Sequence, residues 1–367
     1  MRLETLSIHA GNIITDTNRP AVQPITTATT FEHGEGPHMY ARASNPNRSS
    51  LEALLAKLEH AEDAAAFSSG NAAALAVFQA LEPGSHIIAP DDMYHGIRKQ
   101  LEEMLKGILE VDFVDMTDLG AVGDAFKSNT KLVWIETPSN PLLKISDIHA
   151  IGKLAKGNGA MLACDNTFAT PVFKTPLLLG ADIVMHSSTK YLGGHSDILG
   201  GALVTKTRDA LWERIRMVQH VGGAVPSPFD TYLLVRSIKT LAYRMKGHAE
   251  HAGIIAEFLS QHPAIEQVFY PGLRNHPNHR VAASQMSGFG GMLSVLVEGG
   301  AAEADAVIAK LRYFTNATSL GGVESLAERR AAVEGPNSTT PQNLIRLSVG
   351  LEHLDDLLED LAQALKK

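Results

Sequence analysis

Ala181-Asp-Ile-Val-Met-His-Ser-Ser-Thr-Lys190-Tyr-Leu-Gly-Gly-His-Ser-Asp-Ile-Leu-Gly-Gly201 runs from an apolar segment into hydroxyls, a lysine and four glycines. Ile183-Val184-Met185 reads as a short buried strand, since a continuous apolar run bounded by turn formers suits a sheet covered on both faces. A lysine at the end of such a strand loses hydration, which lowers its pKa and frees the amine to act as a nucleophile. Ser187 and Thr189 flank Lys190 with hydroxyls suited to an anion. The glycines beyond let backbone approach a ligand closely.

Taken alone, these residues would be read as solvated surface. Ser187-Ser-Thr-Lys190 also fits the S-x-x-K nucleophile pattern of serine acyl hydrolases, so the rest of the chain must decide. Working outward, strands are expected at 86–90, 111–115, 132–137, 161–165, 182–186 and 202–205, with helices between them, among them 96–109 and 147–156. Alternating strands and helices with continuous apolar strands predict an α/β fold with a mostly parallel sheet covered on both faces. Ligands of such sheets bind beyond the carboxyl ends of the strands. Asn140, Asp165 and Lys190 all fall there.

On this reading the chain divides into an N-terminal arm at 1–48, an α/β domain at 49–226 and a smaller C-terminal α+β domain at 227–367. The arm is rich in turn formers, including Gly34-Glu-Gly-Pro37, and is expected to lie over a neighbouring subunit. Ser49 and Glu52 have capping-box spacing at the head of a Leu51/Leu54/Leu55/Leu58 helix face. Beyond Pro226 one long helix is expected over 228–251, then strands at 265–270, 292–297 and 344–349 and helices at 302–311 and 354–366.

The chain has 367 residues, 44% hydrophobic and 20% charged, with a formal charge of -8. That composition is globular, and the absence of a basic block argues against nucleic acid or an acidic membrane as the main partner. No apolar run approaches a membrane span, and Met1-Arg-Leu-Glu-Thr-Leu has no signal core, so a cytoplasmic protein is expected. The single cysteine, Cys164, excludes an internal disulfide framework. His248/His251 and His276/His279 lack the accompanying pattern of a metal site, and no metal is expected.

Other residues suit an anionic, aromatic cofactor. Ser69-Gly70-Asn71 opens a small-residue helix whose first amides are available to an anion, and Arg42 adds a cation. Asp165 closes a buried strand; a buried carboxylate must be paired, and a protonated pyridine nitrogen is one partner. Tyr94, after the 86–90 strand, would stack on a flat ring. Arg346, in apolar Leu344-Ile-Arg-Leu-Ser-Val, needs an anion, either a bidentate substrate carboxylate or a structural counter-ion. Together with Lys190 this set is what pyridoxal 5'-phosphate needs. No G-x-S-x-G, Ser-Asp-Asn or Lys-Thr-Gly completes the hydrolase alternative.

With those residues in hand, the chain resembles the Cys/Met-metabolism family of pyridoxal-phosphate enzymes. The resemblance rests on Ser7-Ile-His-Ala-Gly11, Tyr40-Ala-Arg-Ala-Ser-Asn-Pro46, Phe67-Ser-Ser-Gly70, Glu136-Thr-Pro-Ser-Asn-Pro141, Asp165-Asn-Thr-Phe-Ala-Thr-Pro171, His186-Ser-Ser-Thr-Lys190, Ser227-Pro-Phe-Asp230, Gly288-Phe-Gly-Gly-Met292, Ser319-Leu-Gly-Gly-Val-Glu-Ser325 and Leu344-Ile-Arg-Leu-Ser-Val-Gly350. It implies an aspartate-aminotransferase-like, fold type I architecture assembled as a homotetramer of catalytic dimers. It further implies Lys190 as the Schiff-base lysine, Asp165 at the pyridine nitrogen and Tyr94 on the ring. Gly70, Asn71, Ser187 and Thr189 would hold the phosphate, with Tyr40 and Arg42 arriving from the adjacent subunit. Asn140, Ser319 and Arg346 would take the substrate carboxylate.

The resemblance implies transsulfuration chemistry: γ-elimination or γ-replacement on a cystathionine-like amino acid, with cystathionine γ-lyase first. Cystathionine γ-synthase, cystathionine β-lyase and a lyase for a non-sulfur γ-substituent stay open. Ser319-Leu-Gly-Gly-Val-Glu324 is similar to γ-acting members, and Glu324 would accept a distal amino group. The chain departs from relatives at Asn71, where many carry Met, and at His95-Gly96-Ile97, where methionine γ-lyases carry a cysteine. Residues 327–337 replace a longer stretch beside the substrate pocket, which leaves the substrate open.

Overall fold

The computed structural model describes residues 1–14, 18–34, 36–335 and 338–366. Glu35 of the turn at 34–37 and the last two positions of the 327–337 segment lie outside the described residues.

Seven strands form the larger sheet: β1 (Asp63–Phe67), β2 (His86–Pro90), β3 (Glu110–Val114), β4 (Thr130–Glu136), β5 (Met161–Asp165), β6 (Ile183–His186) and β7 (Gly201–Thr205). Their order is β1-β7-β6-β5-β4-β2-β3. β7 is antiparallel to β1 and β6, and the other pairings are parallel. The mostly parallel α/β sheet expected from the apolar runs is therefore present. Successive residues of each strand bury on opposite faces, as the strand period of two requires. Ala64, Val133, Ile135, Cys164 and Val184 enter one apolar cluster; Ala65, Leu132, Trp134, Ala163 and Met185 enter another on the opposite face.

A second sheet contains β8 (Ile265–Phe269), β9 (Met292–Val297), β10 (Thr315–Asn316), β11 (Leu326–Arg329) and β12 (Leu344–Ser348), in the order β10-β11-β12-β9-β8. It is antiparallel apart from the β10–β11 pair and carries its own core, with Leu293, Val295, Ile345 and Leu347 against Ile255, Leu259 and Leu361.

Several local expectations are corrected. The helix at Pro46–Leu58 is capped by Asn45, whose side chain accepts from the Asn47 and Arg48 amides, so Ser49 lies inside the helix rather than at a capping box. The helix expected over 228–251 is two, Pro228–Ile238 and Leu241–Ser260. The one expected over 96–109 is a short α-helix at His95–Lys99 that widens into a π-helical turn at Gln100–Met104. In the arm, Leu3–His9 is helical. β1, β10 and β11 were not expected as strands.

Candidate active site

The carboxyl ends of β4, β5 and β6 and the rim of the smaller sheet enclose a cavity of about 370 Å³. Among its lining residues are Gly70, Asn71, Tyr94, Asn140, Asp165, Ser187, Thr189, Lys190, Ser319 and Arg346. Most of the residues singled out from sequence therefore meet in one place. Tyr40, Arg42 and Glu324 do not line it.

Lys190 follows β6 by one turn, with its amide donating to the Ser187 carbonyl at 3.1 Å. Its Nζ donates to Ser319 Oγ at 3.0 Å. Burial first, then the nearby Arg346 guanidinium, lower the lysine pKa to about 8; Glu328 opposes the shift and Arg330 adds to it. This is the desolvated amine the sequence suggested. Ser319 itself has φ 155°, a backbone region that costs a side-chain-bearing residue on the order of 1–3 kcal/mol and clusters at functional sites.

Asp165 ends β5, 6% exposed, with Oδ1 accepting the Thr167 amide at 2.9 Å. In the adjacent strand Glu136 stands in register with it. Glu136 Oε2 accepts the Tyr94 amide at 2.8 Å. Burial, and then the charge of Asp165, push the Glu136 pKa well up, while burial raises that of Asp165. Two neighbouring buried carboxylates cannot both ionise cheaply, and a cation brought to Asp165 would relieve the pair. Behind them Glu59 Oε1 bonds to His186 Nε2 at 2.6 Å and accepts from Asn166 Nδ2 at 3.0 Å. Sequence reading did not find Glu59 or assign a role to Glu136, although Glu136 heads the quoted Glu-Thr-Pro-Ser-Asn-Pro run.

The opposite end of the cavity suits an anion. Helix Gly70–Gln79 starts here, with Ser69 Oγ accepting the Ala72 amide, so the Gly70 and Asn71 amides have no intrahelical partner. Gly70 packs against Ser187 so closely that a Cβ on it would lie 2.8 Å from Ser187 Cβ. Thr189 Oγ1 donates to the Gly200 carbonyl at 3.1 Å and accepts the Gly200 amide at 3.0 Å, which fixes the loop after Lys190. Tyr94 stands at the cavity mouth, 38% exposed. A Cβ on Gly96 would come within 2.5 Å of its ring, so glycine in His95-Gly96-Ile97 lets the tyrosine lie where it does.

Arg346, on β12, donates to Asn140 Oδ1 at 3.0 Å and, through Nη2, to the Ser319 carbonyl at 3.0 Å and Glu328 Oε2 at 2.9 Å. Its protein counter-ion is thus Glu328 of β11, so the structural ion pair weighed for this arginine is present. Arg330 donates to the same Glu328 oxygen at 2.9 Å and also lines the cavity. Neither Glu328 nor Arg330 was singled out individually; both lie in the divergent 327–337 segment. Glu324 faces an adjoining cavity of about 570 Å³ that shares Thr189, Leu199, Thr318 and Ser319 with the first, and Ser196 Oγ donates to its Oε1. Tyr40 and Arg42 are exposed, with Arg42 Nη1 donating to the His220 carbonyl at 2.7 Å.

The residues present fit pyridoxal phosphate. Asp165 is a buried carboxylate held by Thr167 and, among the described residues, in no salt bridge, which leaves it able to face a protonated pyridine nitrogen. A helix opening and a serine supply anion donors at the far end, and a partly neutral lysine lies between.

The comparisons agree. A Cys/Met metabolism PLP-dependent enzyme family model matches residues 4–366. A cystathionine gamma-synthase of Mycobacterium leprae is 47% identical, the match covering 99% of this chain and 96% of that protein. A cystathionine gamma-lyase of Bacillus subtilis is 44% identical over the whole of both chains, 100% of each. The crystal structure of metB from Corynebacterium glutamicum superposes with a TM-score of 0.97 at 43% identity, covering 100% of this chain and 98% of that one. With the lysine, the paired carboxylates and the anion-binding helix opening in one cavity, the chain belongs to the Cys/Met metabolism PLP-dependent enzymes.

Proposed function

We propose that this cavity performs γ-elimination on a cystathionine-like L-amino acid, as a cystathionine γ-lyase does. The observation that carries the reading is the tie through Ser319. Its hydroxyl accepts from Lys190 Nζ and its carbonyl accepts from Arg346 Nη2, each at 3.0 Å. A substrate held by its carboxylate on Arg346 is thereby fixed with one edge toward the lysine amine.

The cofactor, when bound, supplies an electrophilic carbon for the substrate amine and a ring that accepts the electron pair left at Cα. Asp165 would set its negative charge against the ring nitrogen and keep that nitrogen protonated. The Gly70 and Asn71 amides and the Ser187 hydroxyl would hold the phosphate, Thr189 joining them once its hydroxyl turns from the Gly200 carbonyl, and Tyr94 would cover one ring face. Lys190 Nζ would act as the base that takes the proton from Cα. Elimination from Cγ needs a second proton removed at Cβ, and the same amine is placed to move it. Asn140 holds Arg346 in the orientation that receives the carboxylate. Glu324, in the adjoining cavity, faces the distal end of a long substrate and accepts its amino group.

Replacement at Cγ, the cystathionine γ-synthase reaction, is the second reading, supported by the mycobacterial relative. Elimination and replacement share every step up to loss of the γ-substituent. We further propose a catalytic dimer as the smallest complete unit, assembled into a homotetramer. Tyr40 is 44% exposed and lies off this chain's own cavity, which suits a role, with Arg42, at the phosphate of a second copy. Among the described residues no helix is long and apolar enough to cross a membrane. We place the protein in the cytoplasm, where the lone buried thiol of Cys164 stays reduced.

Product identification by mass spectrometry tests the reading. Given L-cystathionine with cofactor, the enzyme is expected to release cysteine and 2-oxobutanoate. New cystathionine from O-succinylhomoserine and cysteine, without cleavage of cystathionine, would favour replacement. Homocysteine with pyruvate would overturn both.

A further inference from the structure

Glu328 is shared. Its Oε2 accepts from Arg346 Nη2 and from Arg330 Nη1, each at 2.9 Å, while its Oε1 accepts from Thr318 Oγ1. All three charged side chains are buried, at 3–4% exposure. Arg330 also donates through Nη2 to Glu334 Oε1 at 3.1 Å. Glu334 Oε2 in turn accepts from Ser338 Oγ and Thr340 Oγ1, both at 2.7 Å. The divergent segment thus anchors Arg330 from one side and points it at Glu328 from the other.

A substrate carboxylate arriving at Arg346 meets a guanidinium already engaged with a carboxylate. Were Arg346 the sole cation near Glu328, exchange would strand a buried, unpaired charge, which is strongly unfavourable. Arg330 removes that obstacle because Glu328 keeps a guanidinium and a hydroxyl after Arg346 lets go. We propose that Arg330 is a positioning residue for substrate recognition: it retains Glu328 so that Arg346 can exchange its internal carboxylate for the carboxylate of an amino-acid substrate. This rests on the reading of Arg346 as the carboxylate receptor.

The test is steady-state kinetics on the holoenzyme with L-cystathionine, or with O-succinylhomoserine plus cysteine if that is the turnover pair, alongside calorimetric binding of butanoate, a carboxylate without the reacting amine. Arg330→Met is expected to raise KM and the butanoate Kd about tenfold, the scale of one buried charge interaction, while kcat changes less than about threefold. Glu328→Gln in the same chain removes the competing charge and is expected to bring both back to within about threefold of the parent. Because Arg330 also pairs with Glu334, Arg330→Lys, which keeps a cation between Glu328 and Glu334, is measured beside them and is expected to stay within about threefold of the parent in KM and butanoate Kd; it keeps the test open where Arg330→Met does not fold. A double variant as weak as Arg330→Met would overturn the inference in favour of direct anion binding by Arg330. A lower melting temperature with unchanged KM and butanoate Kd would overturn it in favour of a purely structural pair. Arg346→Lys serves as the control on the underlying reading: if it leaves butanoate binding unchanged, Arg346 is not the receptor, whatever Arg330 does.

Discussion

Two rims line the same cavity and treat their charges in opposite ways. At the carboxyl ends of β4 and β5, Glu136 and Asp165 are two buried acids with, among the described residues, no side-chain cation bonded to either, and burial raises both pKa values. On β11, β12 and the helical turn that follows β11, Glu328, Arg346 and Arg330 close a network in which every charge has an opposite partner. The first rim is incomplete without a cationic ligand. The second is complete before any ligand arrives, and must open to admit one. The difference supports the proposal that the first rim receives the cofactor and the second the substrate.

The largest effect is expected where the two rims meet, at Lys190. Lys190→Ala should lower turnover by about 10⁴-fold or more and abolish the visible absorption of the bound cofactor, read by spectrophotometry and product mass. Retained turnover would remove the link between the rims. Next, Glu328→Ala leaves two buried guanidinium groups without their shared carboxylate. Chemical denaturation should report a loss of about 3–5 kcal/mol. A loss below about 1 kcal/mol would mean that the second rim is not the closed network described.

The first rim makes the complementary prediction. Asp165→Asn removes the charge a pyridine nitrogen needs but relieves the crowding with Glu136. The fold should be as stable as the parent or more so by thermal denaturation, while kcat falls by about 10²–10³-fold. A less stable fold with normal kcat would make Asp165 a structural acid.

A smaller effect concerns pH. Burial and Arg346 hold the Lys190 pKa near 8, below the ordinary lysine value. The sign follows: the amine is protonated and unreactive below that pH and neutral above it. Stopped-flow capture of pyridoxal phosphate by cofactor-free protein should speed up about tenfold per pH unit below 8, then level off. A midpoint near 10.5 would mean that the lysine feels neither rim.

Much of the first rim was legible in the chain because its information is local. Apolar runs ending in Asp165 and in Ser187-Ser-Thr-Lys190 name the strands and their functional ends together. β1 escaped because Asp-Ala-Ala-Ala-Phe has neither β-branched residues nor alternation, and is a strand only because β7 pairs with it. Partners brought together by folding were also hidden. Glu59 meets His186 across 127 positions, and no local pattern in either segment announces the other. In the second rim, Arg346 was visible as an arginine in an apolar strand, but its counter-ion was not. Glu328 and Arg330 sit in a stretch that read as divergence, and only the β11–β12 register aligns Glu328 with Arg346. The N-cap at Asn45 was missed because Ser49 offered a matching spacing one turn later. Asn45→Ala is therefore expected to lower stability by about 1 kcal/mol in a thermal melt, the smallest effect here, while Ser49→Ala leaves it unchanged.

The central claim is that one amine, Lys190, serves both Cα and Cβ of a substrate held on Arg346. Proton nuclear magnetic resonance of L-2-aminobutanoate incubated with the holoenzyme in deuterium oxide tests it most directly. The account predicts that the Cα and Cβ proton signals both fade with the parent enzyme and that neither does with Lys190→Ala. Loss of the Cα signal alone, with Cβ protons retained through long incubation, would contradict chemistry at the γ-carbon.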